Sequence, residues 1–334
     1  MKKVLLTGSA GFIGFHLAKK LLDLGFVVIG VDNLNNYYDT CLKLDRLDNL
    51  NTFATSNNLE YKFIKLDISN EKDVTDLFIK YNFDIVINLA AQAGVRYSLE
   101  NPQSYTLSNM VGFTNVIEAS RKANIEHFIF ASSSSVYGMN IKQPFSVSDN
   151  TDFPVSLYAA SKKANELIAH SYSHLYKMPC TGLRFFTVYG PFGRPDMAYY
   201  SFTKAIDDGN PIDVFNQGKM LRDFTYIDDI VEGISMIVEK KPKLSKNNLS
   251  NANAPFRVFN IGNNNPVTLK RFIEAIEIAL SKEAIKNMLP MQKGDVPTTY
   301  ADIDDLTNEY GFHPNTTIEE GITKFVDWYR SYHK

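Results

Sequence analysis

The chain opens on an apolar strand that runs straight into three evenly spaced glycines. Val4-Leu5-Leu6 leads into Thr7-Gly8-Ser9-Ala10-Gly11-Phe12-Ile13-Gly14, then into the helical run Phe15–Leu22, which stops at Gly25. A buried strand, a glycine turn and a helix start in such close succession leave few folds open. In this arrangement the first glycine permits the tight turn and the second lets backbone amides approach a pyrophosphate. The third lets the helix pack on the strand. The spacing alone is also compatible with ordinary turn chemistry, so context decides. The next strand, Phe26–Val31, ends at Asp32. A carboxylate there accepts a hydrogen bond from an adenosine ribose 2′-hydroxyl and repels a 2′-phosphate. The prediction is bound NAD rather than NADP, held by Gly8, Gly11, Phe12, Ile13, Gly14, Asp32 and Asn33.

Short apolar runs then alternate with helical ones. Tyr61–Leu66 ends at Asp67-Ile68, Asp84–Leu89 ends at Ala90-Ala91, and Glu126–Ala131 ends in four serines, Ser132–Ser135. Helices are predicted over Val74–Tyr81 and Pro102–Ala123. This repetition predicts an α/β fold, a Rossmann-type doubly wound parallel sheet covered on both faces. Ligands in such sheets lie beyond the carboxyl ends of the strands. Asp67, Ile68, Leu89, Ala90 and Ala91 therefore join the cofactor candidates. Asn33–Asn58 reads as a polar excursion with a helical Leu42–Leu50. Its Tyr37 and Tyr38 could line the adenine side or pack on the surface.

With 334 residues, 44% of them hydrophobic, the chain can bury one large core or two modest ones. Residues 1–180 are read as mainly an NAD-binding Rossmann domain and 181–334 as mainly a smaller C-terminal α/β substrate lobe, with segments interleaving between the two. The net charge of −2 is spread over interspersed acids and bases, which argues against nucleic-acid partners and against a polybasic membrane anchor. The N-terminal apolar run is too short for a signal sequence, and no stretch approaches a membrane span. Cys41 and Cys180 form neither a disulfide framework nor a zinc pattern, so a cytoplasmic location is expected. His170 and His174 share a helix face, but without acidic or cysteine partners they read as surface or interface residues, and no metal is expected.

In the middle of the chain stands Leu157-Tyr158-Ala159-Ala160-Ser161-Lys162. As the first turns of a helix, it places Tyr158 and Lys162 on one face. A lysine ammonium beside a phenol favours the phenolate, which can take a proton from a sugar hydroxyl while hydride leaves the same carbon. The spacing is common by chance and gains weight only from the predicted hydride acceptor. In the C-terminal half, Cys180–Phe186 and Phe256–Ile261 read as strands, Pro211–Phe215 as extended, and Tyr199–Asp208, Ala301–Tyr310 and Thr317–Tyr332 as helices. Asp228-Asp229 reads as a helix start, and Glu239–Ala254 as a surface loop.

Taken in order, Thr7-Gly8-x-x-Gly11-x-x-Gly14, Asp67, Asn88-Leu89-Ala90-Ala91, the serines before Val136-Tyr137-Gly138, and Tyr158-x-x-x-Lys162 resemble an extended short-chain dehydrogenase/reductase. The resemblance spans most of the chain. Within that family it is nearest to the NAD-dependent nucleotide-sugar epimerases, in particular those inverting C4 of UDP-glucuronate. The residues that carry this are Asp32–Asp39, Ala91–Ser98 and Phe185–Ala198. The resemblance implies reversible conversion of UDP-glucuronate to UDP-galacturonate through a 4-keto sugar on tightly held NAD+, by Tyr158, Lys162 and Ser133, with Tyr158 and Lys162 also cofactor-binding and Lys162 holding the nicotinamide ribose. It implies Ser134, Ser135, Thr187 and Arg194 at the sugar carboxylate, with Arg96 a further substrate-side residue. Arg222 would meet the diphosphate, Val214 and Phe215 the uracil, and Asp295 the uridine ribose.

Related dehydratases carry Asp-Glu where Ser134-Ser135 stand, and decarboxylases carry Glu at the second position. Hydroxyls cannot supply that acid–base pair, so the serines argue for hydride chemistry without elimination. Lys293, where relatives usually show Pro, departs from the pattern beside Asp295. A homodimer is implied through Pro102–Ala123 and Tyr158–Tyr176. The alternatives are a UDP-hexose or UDP-N-acetylhexosamine 4-epimerase, a UDP-glucuronate decarboxylase, and a non-catalytic NAD-sensing protein, which the presence of both Tyr158 and Lys162 disfavours.

Overall fold

The computed structural model describes residues 1–244, 253–291 and 298–334. Two compact units are present. The first comprises Met1–Gly138, Asn150–Arg184 and Val231–Phe259, and the second Met139–Asp149, Phe185–Ile230 and Asn260–Lys334.

The first unit is built on a seven-stranded sheet. In spatial order its strands are Phe256–Ile261, Cys180–Phe185, His127–Ser133, Ile85–Asn88, Lys3–Thr7, Val27–Asp32 and Tyr61–Lys65. From the Tyr61–Lys65 edge inward this is the Rossmann order, which reverses at the first strand. The first strand pairs in parallel with both neighbours, Val4 standing opposite Val28 on one side and Ile85 on the other. Val4, Leu6, Val28, Val86, Phe128 and Phe130 are fully buried. Helices covering both faces leave these strands no solvent side, which is why their sequences read as continuous apolar runs rather than alternating ones.

Among the helices of this unit, Glu71–Lys80 is capped by Asn70, which accepts from the Lys72 and Asp73 amides. The helix Leu157–Tyr176 is capped by Ser156, whose Oγ accepts from the Ala159 amide at 3.1 Å. The excursion helix, Cys41–Ser56, runs longer than its apolar pattern suggested. Pro102–Ala123 is not one regular helix. Pro102–Tyr105 and Phe113–Lys122 are α-helical, but Thr106–Gly112 between them winds as a π-helix. Such wider turns concentrate at functional sites. Here it brings Gly112 against Ile68, where a Cβ would lie 2.6 Å from the isoleucine side chain.

The second unit joins short paired strands to the helices Ala198–Asp207, Leu269–Leu280, Asp304–Tyr310 and Ile318–Tyr332. Thr187–Tyr189 pairs in parallel with Phe224–Tyr226, and Ile212–Val214 with Lys286–Met288; Leu221–Arg222 pairs antiparallel with Val267–Thr268. Phe224 and Phe272 stack with centroids 4.4 Å apart. Aromatic rings from Ala198–Asp207 and Ile318–Tyr332 interlock, Tyr199 meeting Phe325 edge-on at 5.0 Å. Two expectations change here. The extended run ends at Val214, because Phe215–Gly218 turns as a 3₁₀ segment with Asn216 and Gln217 left-handed. Helix also starts only at Asp304, because Ala301 bridges Phe145 and gives its amide to Asp223.

Candidate functional site

The glycine turn follows the central strand. Gly8 has φ +74° and donates its amide to the Val31 carbonyl at 2.8 Å, locking the turn onto the neighbouring strand. A Cβ on Gly8 would lie 2.9 Å from the Ala90 amide, and one on Gly14 only 2.1 Å from the Gly8 carbonyl oxygen. No side chain other than hydrogen fits that third position. The helix Phe12–Asp23 begins at Gly11 with no side-chain cap, and the N-terminus of such a helix is a favourable place for an anion. Phe12 is buried and Ile13 half-buried at this start. The cradle thus fits the pyrophosphate of a dinucleotide.

Around the turn, the strand ends gather further candidates. Asp32 closes its strand, accepts the Leu34 amide at 2.9 Å and lies 3.9 Å from the buried Lys43 ammonium. Asn33 donates its side-chain amide to Asp67 at 2.9 Å. Burial opposes ionisation of Asp67, but the bonds from Asn33 and Ser69 outweigh it and hold the carboxyl below its usual range. Ile68 is buried, and its carbonyl accepts from Asn115 at 3.0 Å. Leu89 follows the fourth strand, and Ala90 donates its amide to Thr7 Oγ1 at 3.0 Å.

On the helix Leu157–Tyr176, Tyr158 is half-buried, and the Lys162 ammonium lies 6.0 Å from its ring centroid. Lys162 donates to the Ala131 carbonyl at 3.0 Å, tying the helix to the strand that ends at Ser133. Burial lowers its pKa to about 8. Ser133 is buried; its Oγ accepts from the Ser135 amide and donates to Ser135 Oγ, both at 3.1 Å. Ser134 and Ser135 are half-buried, and Arg96 is exposed at the start of the short helix Tyr97–Glu100.

The second unit holds the other candidates. Thr187 starts its strand and gives its amide to the Asp223 carbonyl at 3.2 Å. Arg194 grips Asp196 through two hydrogen bonds, from Nε at 3.0 Å and Nη2 at 2.5 Å. Val214 is buried and Phe215 half-buried, while Arg222 bonds the Leu221 carbonyl at 2.9 Å. Asp295 lies outside the described residues, as do Lys293 and most of the Lys-rich loop after Glu239.

Several supporting residues escaped the sequence reading. Asn109, in the π-helical turn, is buried and exchanges hydrogen bonds with the Gln92 backbone at 2.8 and 3.1 Å. It also donates to Ser161 Oγ at 3.0 Å, and its carbonyl accepts from Asn165, so it ties the Ala90–Gln92 turn to the Tyr158 helix. Arg46, fully buried, reaches the Ala10 carbonyl at 2.9 Å and Tyr38 Oη at 2.7 Å. Tyr37, already singled out in the sequence, packs on Tyr97, and the contacts that lead from there through Tyr105 to Tyr158 were not foreseen.

In the second unit, Asp223 is wholly buried and accepts from the amides of Asn263, Asn264 and Ala301. Burial outweighs those bonds and raises its pKa. An aspartate inside a run of strand formers was the one signal that could have flagged it. Asp229 contributes to packing rather than only to a helix start, accepting the Thr316 amide at 3.2 Å. His170 sits edge-on to Phe256, 5.2 Å away, and among the described residues no cluster of three metal-ligating side chains forms.

Comparison with known proteins agrees with this geometry. The model of the NAD dependent epimerase/dehydratase family matches residues 4–262. Protein CapI of Staphylococcus aureus is 56% identical, over 99% of either chain. A probable UDP-glucuronate 4-epimerase of Rhizobium meliloti is 47% identical over 98% of this chain and 96% of that one. Among solved structures, UDP-glucuronic acid 4-epimerase from Bacillus cereus, in complex with UDP-glucuronic acid and NAD, superposes with a TM-score of 0.88 at 31% identity, over 99% of either chain. With its glycine cradle, its strand-end carboxylates and its Tyr-x-x-x-Lys helix, the chain belongs to the NAD dependent epimerase/dehydratase family.

Proposed function

We propose that this protein is an NAD-dependent isomerase that reversibly inverts C4 of UDP-glucuronate, giving UDP-galacturonate. The observation that carries the chemistry is the buried Lys162 ammonium beside Tyr158, anchored to the strand that ends at Ser133. The substrate follows from relatives that are similar over nearly their full length, together with the B. cereus enzyme bound to UDP-glucuronic acid. NAD+, when bound, accepts the C4 hydride and returns it to the other face of the sugar.

The chain's own residues do the rest. Tyr158 takes the 4-hydroxyl proton and gives it back, Ser133 positions that oxygen, and Lys162 supplies the positive charge that makes a phenolate accessible. Gly8, Gly11 and Gly14 admit the pyrophosphate, and Asp32, Asn33 and Asp67 bind and orient the adenosine end. We assign the sugar carboxylate to Thr187 and Arg194, aided by Ser134 and Ser135, because a guanidinium binds a carboxylate through paired charge-assisted bonds. Arg222 is assigned to the diphosphate, Val214 and Phe215 to the uracil and Asp295 to the uridine ribose, with Arg96 on the substrate side. The serine run has no carboxyl group for elimination.

We also propose a homodimer. Leu107 and Val111 on one helical segment, and Leu167 and Leu175 on another, are large apolar side chains left exposed on the surfaces expected to pair. No helix among the described residues is long and apolar enough to cross a membrane. Cys41 and Cys180 are unpaired, which supports a reducing, cytoplasmic setting. The test of function is proton NMR of UDP-glucuronate incubated with the purified protein. Appearance of UDP-galacturonate without added NAD is the expected result. A pentose product would mean decarboxylation, and no change even with NAD supplied would remove the uronate assignment.

A further inference from the structure

The arginine assigned to the sugar carboxylate already holds a carboxylate of its own. Arg194 presents Nε and Nη2 to the two oxygens of Asp196, the same fork that a uronate would occupy. The contact is built by the backbone. Arg194-Pro195-Asp196-Met197 forms a turn closed by the Met197 amide on the Arg194 carbonyl at 3.2 Å, which folds the two side chains together. The turn is braced at its entrance. The Arg194 amide donates to Tyr199 Oη at 3.0 Å, and a Cβ on Gly193 would lie 2.2 Å from that oxygen. Phe192, in the left-handed region at φ +56°, lays its ring 5.0 Å from that of Trp328.

Despite this bracing the ion pair stays accessible, with side-chain exposures of 22% for Arg194 and 30% for Asp196. Pairs open to water contribute little net stability, so an arriving carboxylate can replace Asp196 at small cost. A hydroxymethyl group has no charge with which to do so, and leaves the pair closed.

We propose that Asp196 is a specificity-determining residue that competes with the substrate's carboxylate for Arg194. It holds the guanidinium until a uronate arrives and takes it back when the sugar leaves. The grip on the uronate is thereby weaker than a free arginine would give, and small anions are kept off the site. This rests on the assignment of Arg194 to the sugar carboxylate. Asp196→Asn then removes that competing charge from Arg194 and strengthens binding of carboxylates alone.

The experiment compares steady-state kinetics of wild type, Asp196→Asn, Arg194→Ala and the double variant. In Asp196→Asn the KM for UDP-glucuronate is expected to fall about two- to fivefold, the span of an exposed ion pair, while kcat does not rise. The inhibition constant of UDP-glucose stays unchanged, and free glucuronate becomes a stronger inhibitor. In the Arg194→Ala background the Asp196 substitution has no effect on KM. A KM that stays or rises in Asp196→Asn, or an equal tightening of UDP-glucose, overturns the proposal. If Arg194→Ala raises the uronate KM in that case, the carboxylate assignment still stands. If Arg194→Ala leaves the uronate KM unchanged, that assignment falls and the proposal with it.

Discussion

Replacing Glu166 by Gln tests how the helix Leu157–Tyr176 is held to the sheet. Glu166 and Arg184 are a buried ion pair, their side chains only 5% and 4% exposed, with contacts of 2.8 and 2.9 Å. Ser132 donates to the same carboxylate at 2.6 Å, and Arg184 also donates to Tyr137 Oη at 3.0 Å. Burial works against the charge on Arg184, but Glu166 and Tyr137 hold it, with its pKa above the ordinary arginine range. Glutamine keeps the shape and some of the hydrogen bonds yet strands a guanidinium in the core. Breaking a buried pair from one side costs about 3–5 kcal/mol, and the retained bonds place this case near about 3. That is about a hundredfold in the folding equilibrium. Urea unfolding followed by circular dichroism measures it. Adding Arg184→Met removes the second charge, and the double variant should recover most of the loss. A loss below about 1 kcal/mol in the single variant, as for an exposed pair, would refute the reasoning, as would a double variant less stable than the single.

Three further outcomes are expected. Tyr158→Phe removes the proposed proton acceptor, so turnover should vanish while calorimetry still detects UDP-sugar binding; wild-type activity would sink the mechanism. Gly14→Ala places a methyl 2.1 Å from the Gly8 carbonyl, and the backbone must open. The purified variant should release far less NAD on denaturation than wild type does, and a full complement would disprove the cradle. Lys162, with a folded pKa of about 8, binds fewer protons folded than unfolded between pH 8 and its ordinary value of 10.5. Burying its charge therefore costs most below pH 8, and stability should rise with pH across that window relative to Lys162→Met. An identical pH profile in the two proteins would show that the lysine is not desolvated.

Much of the fold is local and could be read along the chain. Val4–Leu6 followed by spaced glycines, and each apolar run ending in a short polar or small-residue turn, reflect constraints between neighbours, so the strands of the large sheet came out within a residue or two, whereas most of the short paired strands of the second unit did not. Wherever distant segments meet, the linear pattern is silent. The π-helical turn at Thr106–Gly112 exists because Gly112 must approach Ile68 and Asn109 must reach Gln92, Ser161 and Asn165. Likewise Arg46 looks like any charged residue on an amphipathic helix until the fold buries it against Ala10.

The division into units shows the same limit. Met139–Asp149 leaves the first unit through the bridge of Phe145 to Ala301, and Val231–Phe259 returns to it to provide a sheet strand. For the candidate site, residue types and order are written in the motifs. The partners are not: Glu166 for Arg184, Asp223 for three separate amides, and Asp196 for Arg194. Local sequence dictates which turns and helices can form, because propensity and periodicity act over a few residues. Which buried charge meets which partner depends on the packing of the whole chain, because desolvation and hydrogen-bond geometry exist only once that packing is complete.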